Sequence, residues 1–205
     1  MTKVKICGLM ETEHVEVAVG AGADAIGFVF APSKRKVTIE KAQELAKHVP
    51  PSVWKVGVFV NPTKEDVLTA IQEVPLDYIQ YHGQETPDFV RTNNLPSIKA
   101  LSVQNEADVL QAKKYDTDYY LFDAPGTDYR GGSGEVFEWK LMEVNNIPSE
   151  KIILAGGLNP NNVKDAIQKV NPFMVDVSSG VERNGSKDKE LIQAFISAVK
   201  NGGGE

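Results

Sequence analysis

Cys7 is the one cysteine in the sequence, and it closes an alternating run, Lys3-Val4-Lys5-Ile6-Cys7, that stops at Gly8. Such a run ending on glycine is a strand entering a tight turn. A thiol at a strand end can act as a proton-transfer base where its surroundings favour the thiolate; otherwise it is a small buried hydrophobe. Asp123 is the complementary group, ending the apolar run Tyr119-Tyr120-Leu121-Phe122. A carboxyl there is costly to bury unless paired or used, and desolvation can raise its pKa until it donates a proton. The alternatives are a loop salt bridge or a helix cap, although Ala124-Pro125-Gly126 does not open a helix.

Two loops carry a possible anion site. Ala155-Gly156-Gly157-Leu158-Asn159 and Val177-Ser178-Ser179-Gly180-Val181 combine bare backbone with hydroxyls. That combination suits a phosphate cradle, and it also suits plain tight turns. Gly156, Gly157, Ser178, Ser179 and Gly180 are the candidate phosphate contacts. Arg35, between Lys34 and Lys36, can grip a carboxylate with both arms of its guanidinium or belong to a solvated basic loop. His82 either faces a substrate or satisfies a carbonyl, and Asp176 lies beside the second glycine-bearing loop. Gly131-Gly132-Ser133-Gly134 suggests a flexible lid or a further anion contact. His14 and His48 fall on helical patterns, at the surface.

These positions make sense on one scaffold. Strand-like runs cover 3–7, 25–30, 54–60, 78–81, 97–101, 118–123, 151–155 and 173–178. Several, such as Ile26-Gly27-Phe28-Val29-Phe30, are almost wholly apolar, as parallel strands covered on both faces are. Helical patterns intervene over 12–19, with Thr12 as cap, then 38–49, 63–74, 105–115 and 159–170, with Asn159 capping Pro160. A short sixth helix is expected around 136–144, and a last one over 187–200. The alternation predicts an α/β fold, a single (β/α)8 TIM barrel of eight parallel strands with outer helices, spanning 1–205 with a frayed tail at 202–205. An open doubly wound sheet is the alternative. In a barrel the C-terminal strand ends carry the chemistry, and there the candidate residues collect.

Composition narrows the partners. The 205 residues are 41% hydrophobic and 24% charged, with a formal net charge of −6, ordinary for a globular chain and unsuited to nucleic acid or an anionic membrane. One cysteine forms no internal disulfide, and Met1-Thr2-Lys3 runs into a strand without an apolar leader, which points to the cytoplasm. The three histidines are far apart and Cys7 has no partner thiol, so no metal is expected. The glycines match neither the dinucleotide fingerprint nor the Gly-Lys-Ser/Thr phosphate loop, so no cofactor is expected either. The expected partner is a small phosphorylated molecule, bound by a monomer.

The whole pattern resembles the phosphoribosylanthranilate isomerase family. The resemblance rests on Val4-Lys5-Ile6-Cys7-Gly8, Gly22-Ala23-Asp24-Ala25-Ile26-Gly27-Phe28-Val29-Phe30, Ser33-Lys34-Arg35, Val56-Gly57-Val58-Phe59-Val60-Asn61 and His82-Gly83. It continues through the 131–134 glycines, Ala155-Gly156-Gly157-Leu158-Asn159-Pro160 and Val175-Asp176-Val177-Ser178-Ser179-Gly180-Val181-Glu182. It implies a cofactor-independent Amadori rearrangement in tryptophan biosynthesis. On that resemblance Asp123 is the acid that opens a furanose ring and Cys7, as thiolate, the base at C2′. Arg35 meets the anthranilate carboxylate, and Asp176 lies near the anilino nitrogen or Asp123. Rival readings are another sugar-phosphate isomerase or epimerase on this barrel, and a barrel that binds a phosphorylated ligand without turnover.

Overall fold

Alternating strands with one face toward the barrel axis and one toward helices can bury every backbone group only by closing on themselves. In the computed structural model they do so, and residues 1–92, 94–123 and 147–201 are described. The strands are β1 (Lys3–Cys7), β2 (Ala25–Val29), β3 (Trp54–Phe59), β4 (Tyr78–Tyr81), β5 (Ser97–Ser102), β6 (Tyr119–Asp123), β7 (Ile152–Ala155) and β8 (Met174–Val177). All pair in parallel in chain order, and β8 returns to β1 with Ile6 opposite Val177. The expected sixth helix at 136–144, the Gly131-Gly132-Ser133-Gly134 segment and the 202–205 tail lie outside the described residues.

Outside the barrel run α1 (Thr12–Gly20), α2 (Ile39–Ala46), α3 (Lys64–Glu73), α4 (Pro87–Val90), α5 (Glu106–Leu110), α6 (Val163–Val170) and α7 (Lys189–Asn201). Thr38 caps α2, and Thr63 with Asp66 forms a reciprocal capping box on α3. Four sequence expectations change. Thr12 is the first helical residue of α1 rather than its cap, and Glu11 precedes it without a side-chain cap bond. The 105–115 helix tightens into a 3₁₀ turn at Gln111–Lys114. Asn159 does not start α6, because Asn159 Oδ1 takes the Asn161 N–H and Asn162 Oδ1 takes the Asn159 N–H; the helix begins at Val163. The last helix starts at Lys189 because Lys187 belongs to a short antiparallel pair, β9 (Glu182–Arg183) with β10 (Ser186–Lys187). The sequence reading placed no helix at α4, too short to show a period, although Thr86-Pro87 carries the cap and first-turn signal.

The core has two shells. Between strands and helices pack Ile6, Phe28, Leu45, Ile79, Phe195 and their neighbours. Inside the barrel, alternate residues such as Ala25, Val56, Ala100, Leu121 and Ile153 form a separate cluster. Its floor is aromatic: Trp54 and Tyr78 have ring centroids 4.3 Å apart, and Tyr119 and Phe173 stack at 4.8 Å.

A repeated device finishes the N-terminal rim. Asp24, Asp77 and Asp118 each precede an even-numbered strand and each accept, at 2.8 Å, an N–H from the first two residues of the strand before it (Val4, Lys55 and Ser97). The strand starts would otherwise leave buried donors unpaired. Asp77 also pairs with the Lys55 ammonium at 2.9 Å. Replacing Asp77 by alanine should therefore cost about 1–3 kcal/mol in urea unfolding, while turnover per folded molecule stays unchanged.

Candidate active site

At the C-terminal end of the barrel opens a cavity of about 750 Å³. Every candidate residue named from the sequence within the described regions lines it: Cys7, Arg35, His82, Asp123 and Asp176, together with Gly156, Gly157, Ser178, Ser179 and Gly180. Strand ends gather them, as the barrel geometry requires.

Cys7 ends β1 and is 8% exposed. A side chain on Gly27 of the neighbouring strand would meet Cys7 Sγ at 2.8 Å, so the thiol occupies space that only glycine leaves open. Burial pushes the thiol pKa up. The Lys5 ammonium opposes that, the Asp176 carboxylate reinforces it, and the Lys187 ammonium opposes it again. Lys5 lies two residues before Cys7 on the same strand face, fully buried, with Nζ 2.8 Å from Asp176 Oδ2 and 3.0 Å from Gln80 Oε1. Asp176 Oδ1 is buried and has no hydrogen-bond partner among the described residues.

Asp123 ends β6 across the mouth, about a third exposed, with Oδ2 3.0 Å from His82 Nε2. His82 borders the cavity, and its ring meets side chains rather than a backbone carbonyl. Its other ring nitrogen meets Gln80 Nε2 at 2.9 Å. Its loop is held from behind by a buried pair, with Lys99 Nζ 2.8 Å from Glu85 Oε2 and 2.7 Å from the Gly83 carbonyl. Glu85 in turn accepts the N–H groups of Gly83 and Asn61. His82 thus stands on a loop tied to two strands.

The anion side is built from backbone. Gly156 and Gly157 take φ of 86° and 62°, a region side chains avoid. A Cβ on Gly180 would lie 1.8 Å from the Leu158 carbonyl oxygen, so the loops after β7 and β8 touch because Gly180 has no side chain. The Ser178 hydroxyl donates to the Cys7 carbonyl at 3.1 Å, coupling this loop to the thiol strand. Lys187 Nζ donates to the Ser178 carbonyl at 2.7 Å.

Arg35 is neither a free anion grip nor a solvated loop residue. Its Nε and Nη2 grip Glu182 at 2.6 and 3.0 Å, while its side chain still borders the cavity. Lys34 and Lys187 join the same carboxylate, each at 3.0 Å. Burial alone would raise the Glu182 pKa, but hydrogen bonds from Arg35, Lys187 and Lys34 bring it down to about 2. Sequence reasoning passed over Lys5, Gln80, Glu182 and Lys187. Strand alternation could have found two: Lys5 shares a face with Cys7, and Gln80 with His82. No local signal marks Glu182 or Lys187, which the β9–β10 turn brings in.

Barrel and cavity together define a (β/α)8-barrel enzyme with its chemistry at the C-terminal strand ends. The family model described as N-(5'-phosphoribosyl)anthranilate (PRA) isomerase matches residues 4–198, and the chain belongs to that family of isomerases. It is 50% identical over 197 residues to the N-(5'-phosphoribosyl)anthranilate isomerase of Listeria monocytogenes serotype 4a, covering 96% of this chain and 98% of the relative. It is 51% identical over 202 residues to that of Streptococcus pneumoniae, covering 98% of each. Among solved structures, phosphoribosyl anthranilate isomerase from Thermotoga maritima superposes with a TM-score of 0.86 at 40% identity, over 98% of this chain and 100% of that one. Another, in complex with reduced 1-(o-carboxyphenylamino)-1-deoxyribulose 5-phosphate, gives 0.84 at 39% identity over the same shares.

The Glu182 cluster has a pH signature. A depressed carboxyl pKa contributes stability above the ordinary value of 4.5, and that contribution is lost as pH falls from there toward about 2. Acid unfolding followed by circular dichroism should show Glu182→Gln losing less stability than the parent across that interval.

Proposed function

We propose that this chain converts N-(5'-phosphoribosyl)anthranilate to 1-(2-carboxyphenylamino)-1-deoxyribulose 5-phosphate, an Amadori rearrangement in tryptophan biosynthesis. The observation that carries the reading is one cavity with a thiol on β1, a carboxyl on β6 and the glycine-bearing loops after β7 and β8. Asp123, protonated, gives its proton to the furanose ring oxygen, and the C1′–O bond breaks to leave a Schiff base. Cys7 thiolate takes the proton from C2′, and the resulting enolamine tautomerises to the ketone with a proton added at C1′. Each transfer of this kind is worth about 10²–10⁴ in rate.

Binding follows the same geometry. The phosphate sits on the backbone of Gly156, Gly157, Ser179 and Gly180, beside Ser178. The anthranilate carboxylate takes Arg35 in exchange for Glu182, so one carboxylate replaces another on the same guanidinium, and Glu182 keeps Lys34 and Lys187. The unpartnered Asp176 Oδ1 accepts the anilino N–H. The enzyme acts as a monomer in this reading, and the amino-acid pathway and the lone cysteine suit the cytoplasm. No helix among the described residues is long and apolar enough to cross a membrane.

Purified protein mixed with freshly generated N-(5'-phosphoribosyl)anthranilate should consume its fluorescence rapidly. Asp123→Asn should lose about 10²-fold or more in kcat, and Cys7→Ser should keep ligand binding while losing turnover comparably. Burial raises the Cys7 thiol, so the thiolate fraction grows with pH and kcat should climb on the alkaline side of the ordinary thiol range. That limb should vanish from the residual activity of Cys7→Ser. No conversion by the parent protein would leave a phosphate-binding barrel and overturn the reading.

A further inference from the structure

We propose that Lys5 and Gln80 are positioning residues for the acid, the buried ammonium fixing the Gln80 amide so that His82 carries its proton on Nε2 and holds Asp123 by Oδ2. This rests on the assignment of Asp123 as the acid.

The argument follows the direction of donors along a chain of contacts. An ammonium only donates, and Lys5 Nζ lies 3.0 Å from one end of the Gln80 amide, so that end is the carbonyl oxygen. The other end is then the NH₂, 2.9 Å from His82 Nδ1. An NH₂ group offers only protons, so Nδ1 is an acceptor and bare. A neutral imidazole has one proton, which falls on Nε2, 3.0 Å from Asp123 Oδ2. Oδ2 is therefore occupied as an acceptor, and the proton that Asp123 delivers sits on Oδ1. One carboxyl oxygen is reserved for support and the other for chemistry.

The chain starts where it cannot drift. Lys5 is 0% exposed and anchored on its other side by Asp176 at 2.8 Å; Gln80 is 1% exposed. The amide that sets the tautomer is thus held within the barrel interior rather than at the solvent-facing mouth. The charged or titratable groups bearing on the chain are Asp176 from β8, Cys7 from β1, Lys187 from β10 and Asp123 from β6. Lys5 also faces the base, because its ammonium draws Cys7 toward the thiolate. Acid and base therefore share one buried cation.

Two Gln80 variants test this without breaking the Lys5–Asp176 pair. Nitrogen NMR of the neutral His82 ring should show the proton on Nε2 in the parent. In Gln80→Glu, a carboxylate facing both Lys5 and Nδ1 can only accept, so the neutral ring should move its proton to Nδ1. Gln80→Leu should lose about 10- to 100-fold in kcat with KM within about twofold, the scale set by partners that orient metal-bound histidines. Gln80→Glu should lose at least as much. Parent His82 with its proton on Nδ1, or Gln80→Leu at parental kcat while Asp123→Asn collapses, overturns the positioning role and leaves the proposed function standing. Asp123→Asn at parental activity removes the acid itself, and the inference with it.

Discussion

A charged amine inside an apolar barrel costs several kcal/mol unless it is paired and fully hydrogen-bonded, and Lys5 is such a group. Its needs set the arrangement around it. Asp176 comes from β8 to neutralise it and Gln80 from β4 to accept from it, so strands on opposite sides of the barrel are joined through its centre. Cys7 stands two residues above on the same strand face, in the field of that amine. His82 and Asp123 continue the chain from Gln80 to the far rim. The interior of the barrel is thus divided by height: an aromatic floor, an apolar middle layer, a buried ion pair and a reactive rim.

Close approach of backbone does the remaining work, and side chains are excluded to allow it. The loops after β7 and β8 touch at Gly180 and Leu158, which leaves a concave backbone surface rather than a gap. The Ser178 hydroxyl ties that surface to β1. On the other side the Glu182 carboxylate gathers Arg35, Lys34 and Lys187. Net charge is −6 over the chain, yet this rim concentrates cations around one carboxylate. An anionic ligand at this rim would meet a local positive field that overall composition conceals.

Rigidity under the site comes from pairs that touch no ligand. Glu85 and Lys99 are almost wholly buried and hold the loop that carries His82. The three aspartates at the opposite rim close the strand starts. The side chains that line the cavity can then stand at strand ends without loosening them, because order is supplied from below and behind.

The alternation of apolar strands and periodic helices was enough for the barrel, since a parallel strand buried on both faces has few alternatives. The strand ends then named Cys7, His82, Asp123 and both glycine-bearing loops, because in a barrel those ends converge wherever the chain wanders between them. Alternation even contained Lys5 and Gln80, each two residues before a residue already singled out. The sequence could not say which partner each side chain takes. Whether Arg35 is free or gripped by Glu182, and whether His82 faces a carbonyl or Asp123, depends on residues 147 and 41 positions away along the chain. The helix start at Asn159 was misplaced for a similar reason, as neighbouring asparagine side chains take the backbone donors that a cap would use. Periodicity is a local property that survives in one dimension, whereas donor and acceptor pairing is decided only when closure of the barrel brings distant groups within 3 Å.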